Sequence, residues 1–162
     1  MKYSLLIISG LILCLTITNC YGQNVNIPDA NFKAYVVGNT AINTNGDDEI
    51  QVSEANAFSG GIECSNENIS DLTGIEAFTA LTSLDCGFNK LTSLDVSKNT
   101  TLTSLDCRFN ELTSLNVSKN TALTELLCKY NQLTSVDVSK NIALEYLECG
   151  GNQFDCVPID LR

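Results

Sequence analysis

Four segments of this 162-residue chain repeat with a period of 21 residues, starting at Leu81, Leu102, Leu123 and Leu144. Their columns read Leu81/Leu102/Leu123/Leu144, Leu84/Leu105/Leu126/Leu147, Cys86/Cys107/Cys128/Cys149 and Asn89/Asn110/Asn131/Asn152. A weaker unit precedes them, in which Ile62-Glu63-Cys64 aligns with Leu84-Asp85-Cys86 at a spacing of 22. A unit this short cannot bury its own apolar row. It must stack on copies of itself, so the pattern predicts a solenoid whose turns share one interior.

Alternation within each unit assigns the backbone. In Leu84-Asp85-Cys86 the period of two sends Leu84 and Cys86 inward and Asp85 outward, the signature of a strand. One such strand per turn builds a parallel sheet. The asparagine column falls where the chain must bend, and its amide is suited to bond free backbone groups of its own and adjacent turns. Leaving such groups unpaired costs roughly 1–3 kcal/mol each. Each unit is also nested, because LTSLDCGFNK is echoed by LTSLDVSKNT. A second extended segment with Leu91, Leu94 and Val96 inward is therefore expected as the opposite wall, with little helix in the repeats.

These columns closely resemble the 21-residue nested class of bacterial leucine-rich repeats, LxxLxLxxNxLxxLDLxxNxx, with Cys in place of the third Leu. The resemblance implies a leucine-rich-repeat solenoid over residues 60–157, one degenerate unit plus four. It belongs to the α/β horseshoe class but is mostly β. Such a resemblance specifies fold and says little about ligand.

Two segments precede the repeats. Met1–Gly22 has one early cation, Lys2, then the apolar run Leu5 to Ile17, then small and polar residues. This reads as a secretory signal peptide cleaved after Gly22. The run is short for a membrane span, and a lipoprotein reading through Cys20 meets an unsuitable Asn19. Residues 23–59 are expected to form a small helical N-terminal cap over the open end of the solenoid. Pro28 and Asp29 mark a helix start, and Phe32, Tyr35 and Val36 make its apolar face.

The cap also holds the run Asn43 to Glu54, which resembles a 12-residue EF-hand calcium loop. The resemblance implies oxygen ligands from Asn43, Asn45, Asp47, the Glu49 carbonyl, Gln51 through water and bidentate Glu54. Asn43 stands where Asp is usual, and Asp48 fills the slot of the turn glycine. With two charged ligands, Ca2+ would bind weakly, at roughly 10⁻⁴–10⁻³ M, in a structural role. The alternative is a polar Asn/Gly/Asp turn joining two short helices without metal.

Composition narrows the function. The formal net charge of −10 opposes phosphate, arguing against nucleic acid and anionic membranes as partners. The chain contains no histidine, which removes Ser-His-Asp and Cys-His nucleophiles and the commonest zinc ligand. No enzyme is expected. Of eight cysteines, Cys14 and Cys20 fall in the signal peptide, and Cys64, Cys86, Cys107, Cys128 and Cys149 share one inward column. Their parallel Cβ vectors disfavour disulfides, so they are expected to be reduced and buried like small hydrophobes. Cys156 lies outside the column and has the option of pairing with Cys149.

The repeats supply an alignment within one chain. The second half of each unit hardly changes, whereas the outward slots of the strand do: Ser83/Ser104/Glu125/Tyr146, Asp85/Asp106/Leu127/Glu148 and Gly87/Arg108/Lys129/Gly150. Beside them runs Phe88/Phe109/Tyr130. Varied residues on an exposed concave sheet suit a protein or glycan ligand, with Asp85, Arg108, Phe109, Glu125, Lys129, Tyr130, Tyr146 and Glu148 as candidate contacts. The plainer alternative is that the aromatic residues stack on one another and cover the turn edges. Lys98, Lys119 and Lys140 read as a solvated ladder, and the Asn-x-Ser/Thr sequons at Asn68, Asn99 and Asn116 carry no weight.

A helical, EF-hand-like cap followed by leucine-rich repeats is similar to internalin-type secreted bacterial proteins. That resemblance implies a secreted or cell-surface adhesion or recognition module for a protein or glycan on a cell surface. The competing reading is a structural spacer or subunit of a surface assembly with no ligand of its own.

Overall fold

The structure, a computed structural model, describes residues 22–154. The expected signal peptide, the Cys149–Cys156 staple and the C-terminal end at 158–162 rest on residues outside that range. Five short strands lie parallel in chain order: β1 (Gly61–Glu63), β2 (Ser83–Asp85), β3 (Ser104–Asp106), β4 (Glu125–Leu127) and β5 (Tyr146–Glu148). Two short helices, α1 (Ala30–Gly38) and α2 (Val52–Ala57), precede them, and within the described repeats one 3-10 turn interrupts at Ile75–Ala77. The repeats are a parallel-strand solenoid with little helix.

Register follows the columns. Leu84 faces Leu105, Leu105 faces Leu126 and Leu126 faces Leu147, so identical side chains stack from turn to turn. Ile62, Leu84, Leu105 and Leu126 are fully buried, as are Leu81, Leu102, Leu123 and the thiols of Cys64, Cys86, Cys107 and Cys128. Burying one such leucine stabilises by about 1.5–3 kcal/mol, and no single turn encloses one alone. The five described cysteines are free, with Cys149 only half-buried just after the last strand. Burial pushes the Cys64 and Cys128 thiols up to about 12 and those of Cys86 and Cys107 well above the ordinary value.

The second wall differs from the expectation. Leu91 and Val96 are buried and Leu94 is half-buried, but the segment runs through bends and turns rather than as a strand. One backbone bond per turn links this side near its start, such as Glu111 N–H to the Leu91 carbonyl at 2.9 Å. Asparagine side chains do much of the remaining work. Asn99 Nδ2 donates to the Ile75 and Phe78 carbonyls, and Asn120 and Asn141 repeat the pattern on later turns. Because Asn99 is fully buried, its sequon offers no glycan acceptor.

The first asparagine column does what its position predicts. Asn110 Nδ2 donates to the carbonyls of Cys86, Cys107 and Arg108, while its Oδ1 accepts from the Leu91 N–H. Asn89 and Asn131 make equivalent bonds one turn away on either side.

The cap closes the β1 edge. Tyr35 on α1 accepts the Glu63 N–H on its hydroxyl at 3.0 Å, covering a donor that an open edge would expose. Phe32 and Val36 on the same helix are fully buried. Asp29 N-caps α1, accepting from the N–H groups of Asn31 and Phe32.

Candidate functional site

Each strand turns its central side chain inward and its two flanking ones onto the outer face of the sheet. Asp85, Glu125, Tyr146 and Glu148 project from β2, β4 and β5, while Arg108, Phe109, Lys129 and Tyr130 follow β3 and β4 directly. The structure gathers all eight predicted residues on one side of the solenoid but ties most of them to neighbours.

Arg108 is the clearest case. Its Nη2 lies 2.7 Å from Asp106 Oδ2 and its Nε lies 3.0 Å from both oxygens, so the guanidinium grips the carboxylate two residues earlier. Hydrogen bonding to Asp106 holds its pKa above the usual value. Lys129 Nζ sits 3.0 Å from Glu148 Oε2, and the Tyr146 hydroxyl donates to Glu148 Oε1 at 2.7 Å. The Tyr146 hydroxyl and Lys129 together lower the Glu148 pKa. Glu125 accepts from the Ser104 hydroxyl at 2.8 Å. Exposed pairs of this kind contribute about 0–1 kcal/mol each, so they set the surface pattern more than the stability.

Asp85 stands apart. Its Oδ1 accepts the Gly87 N–H at 3.0 Å, as Asp106 accepts the Arg108 N–H, but Gly87 has no side chain to grip the carboxylate. Burial raises its pKa, the Gly87 bond pulls it back, and the neighbouring Asp106 charge raises it further. Among the described residues no ion pair reaches it. Asp106 was not among the sequence candidates, although it shares the Asp85 slot and faces it in register.

Phe88, Phe109 and Tyr130 form a ladder. Ring centroids are 4.3 and 4.4 Å apart with interplanar angles of 15° and 22°. The rings nevertheless remain exposed by 52, 39 and 50%. All three residues hold left-handed backbone, with φ of 53°, 52° and 55°. The same slot holds Asn66 (φ 60°) one turn before and Gly151 (φ 69°) one turn after, the residue types that tolerate this conformation. An L-residue there costs about 1–2 kcal/mol, and each stacked pair returns about 0.5–1.5 kcal/mol. Stacking and the apolar area that the rings cover on one another offset that strain.

The six residues of the cap loop are also brought together, but its oxygens face its own donors. Glu54 Oε1 accepts from the Thr44 N–H, the Thr44 hydroxyl and the Asn45 N–H, and Oε2 accepts from the Gln51 N–H in a capping box. Asn43 Oδ1 accepts from the Gly46 N–H, and Asp47 Oδ1 from the Glu49 N–H. Asn45 donates to Asp47 and to Gln51, and the Glu49 side chain turns away to Lys33. The donor set is all oxygen, as calcium prefers, yet N–H groups already occupy the carboxylates in this arrangement. Among the described residues no group of three or more Cys, Asp or Glu is arranged to hold a metal.

No family model matches the chain. Over 73 residues it is 45% identical to Internalin J of Listeria monocytogenes serotype 4b (strain F2365), covering 45% of this chain and 8% of that protein. A solved structure of the functional domain of InlJ from Listeria monocytogenes, which includes a cysteine ladder, matches with a TM-score of 0.72 and 41% identity. That match covers 82% of this chain and 30% of the other. An internalin, InlF, from Listeria monocytogenes str. 4b F2365 matches with a TM-score of 0.64 over 81% of this chain and 46% of the other. At 18% identity the InlF likeness concerns the fold alone. The chain thus spans a small part of the relatives it resembles. In sequence repeat and in three dimensions it is internalin-like, a leucine-rich-repeat solenoid of parallel strands.

Proposed function

We propose that this chain is a recognition module of a secreted or surface-displayed bacterial protein, binding a protein or glycan through the concave face of its repeats. One observation carries the reading: the interior columns are nearly invariant from turn to turn, while Ser83/Ser104/Glu125/Tyr146 and Gly87/Arg108/Lys129/Gly150 on the outer sheet are not. Exposed slots elsewhere also vary, as Lys90/Glu111/Gln132/Gln153 do; what supports a contact surface is that the varied strand slots bring in aromatic and charged residues, favoured anchors for a partner. Among the described residues no helix is long and apolar enough to cross a membrane. The missing histidines and the self-paired carboxylates favour binding over catalysis.

The spacer reading draws on those same internal pairs, which leave few free charges on the C-terminal turns. Tyr146, 51% exposed, separates the two readings. With the triple variant Tyr146→Ala, Lys129→Ala and Glu125→Ala, capture of cell-surface proteins or arrayed glycans is lost while the thermal midpoint stays nearly constant. Unchanged capture favours the spacer. For the cap loop, metal-free closure through Glu54 is the reading that its hydrogen bonds support.

A further inference from the structure

The aromatic ladder has one closed end and one open end. Below Tyr130 the backbone of Gly151 lies so near that a Cβ there would stand 2.5 Å from the ring, so that face is covered. Above Phe88 the slot holds Asn66, which carries no ring, and Phe88 is 52% exposed, the most of the three. Stacking inside the ladder occupies the facing surfaces of the rings, and beyond the outer face of Phe88 the ladder has no further ring. The fold does not require a ring there, because asparagine holds the same backbone one turn earlier.

Beside this face the charges are mostly acidic. Asp85, three residues before Phe88 in the same turn, makes no ion pair within 4.0 Å among the described residues, Glu63 faces it in register on β1, and the one cation whose charge reaches it, Arg108, is engaged by Asp106. The next turn shows the paired state of the same slot: Arg108 lies on Asp106 through three hydrogen bonds from its guanidinium. In the Asp85 turn Gly87 replaces that arginine, so the carboxylate is presented without its guanidinium. The net charge of −10 further favours a cationic partner. A guanidinium is planar, stacks on aromatic faces and pairs with carboxylates two-pronged, whereas an ammonium does only part of this.

We propose that the Phe88 end of the ladder, together with the carboxylate of Asp85, receives an arginine side chain from an extended basic segment of a partner protein. The inference rests on the concave-face reading and narrows it to a ligand chemistry.

The test is a nuclear magnetic resonance titration of the isotope-labelled full chain at low ionic strength with the peptide acetyl-Gly-Arg-Gly-Arg-Gly-amide and its lysine counterpart. The arginine peptide is expected to shift the amide signals of Gly87 and Phe88 and to bind more tightly than the lysine peptide. Phe88→Asn installs the residue of the preceding turn; it should weaken binding by about tenfold and keep a cooperative thermal transition. Gly87→Arg should block the peptide by supplying the guanidinium internally. Equal affinity for wild type and Phe88→Asn overturns the proposal, as do signal shifts confined to the turns around Tyr146 and Glu148. If surface capture is lost in the triple variant of Tyr146, Lys129 and Glu125 but kept in Phe88→Asn, the arginine site falls and the concave reading stands. If both variants keep capture, the concave reading falls as well.

Discussion

The carboxylate of Asp29 reaches Ser70 across the junction between cap and repeats. Its Oδ2 accepts from the Ser70 N–H and hydroxyl at 2.9 Å each, while its Oδ1 caps α1 through the N–H groups of Asn31 and Phe32. One side chain thus starts the helix and fastens it to the first turn. Asp29→Ala removes both functions and should cost about 1–3 kcal/mol of stability. Chemical denaturation gives the number. A loss below the cap value alone would mean that the Ser70 bonds contribute nothing.

The same carboxylate makes the junction acid-sensitive. Burial raises the Asp29 pKa, but hydrogen bonds from Phe32, Ser70 and Asn31 outweigh it and hold the carboxyl below its ordinary value. At Glu54 burial again raises, and bonds from Gln51, Thr44 and Asn45 bring the net shift down. A folded pKa below the unfolded one gives stability that is present above the unfolded value, about 3.9 for Asp and 4.3 for Glu, and lost as pH falls through the folded value. Thermal midpoints should therefore stay level from neutral pH to about 5 and drop below about 4. Asp29→Asn with Glu54→Gln should lower the neutral midpoint and flatten the acid drop. Millimolar calcium should leave the wild-type midpoint in place, because Glu54 already holds the loop; a rise that Glu54→Gln abolishes would establish a metal site.

Asn110 holds two turns at once, donating to Cys86 and Cys107 and accepting from Leu91. Asn110→Ala strands several buried backbone groups and should cost about 3–5 kcal/mol, more than a typical single substitution. Asn116→Ala, on an exposed side chain of the next half-turn, is the control and should change stability by less than about 0.5 kcal/mol. Urea midpoints of the two variants decide it.

The thiols of the ladder should be inert in the folded chain. Cys64, Cys86, Cys107 and Cys128 are buried with pKa values pushed upward, whereas Cys149 is half-buried at the last strand. Brief iodoacetamide labelling at pH 8 with peptide mapping should modify Cys149 first and the other four only in urea. Labelling of Cys107 as fast as Cys149 would mean that the column is open to solvent.

The period of 21 made the sheet, its register and the inward columns readable, because one repeated apolar slot leaves one way to stack. What stayed hidden depends on local geometry that spacing does not encode. Asn99, Asn120 and Asn141 sit in a polar Ser-Lys-Asn run, and nothing in that composition shows that their amides turn inward. The second half of each unit has the alternation of a strand, yet its turn-to-turn bonding comes largely from those amides, so no second sheet forms among the described residues. Arg108 reads as a free contact until the carboxylate two residues earlier is found in its grip. The aromatic column was visible, but its left-handed backbone was not, because spacing does not encode the sign of φ.

The central claim is that successive turns share a single interior and are interchangeable within it. Deleting residues 102–122 removes one whole turn and joins Thr101 to Leu123 in register; deleting 102–111 removes half a turn. Circular-dichroism melting of the two variants tests the claim directly. The full-turn deletion should keep the β spectrum and a cooperative transition at a lower temperature, and the half-turn deletion should unfold. Two deletions that behave alike would contradict it.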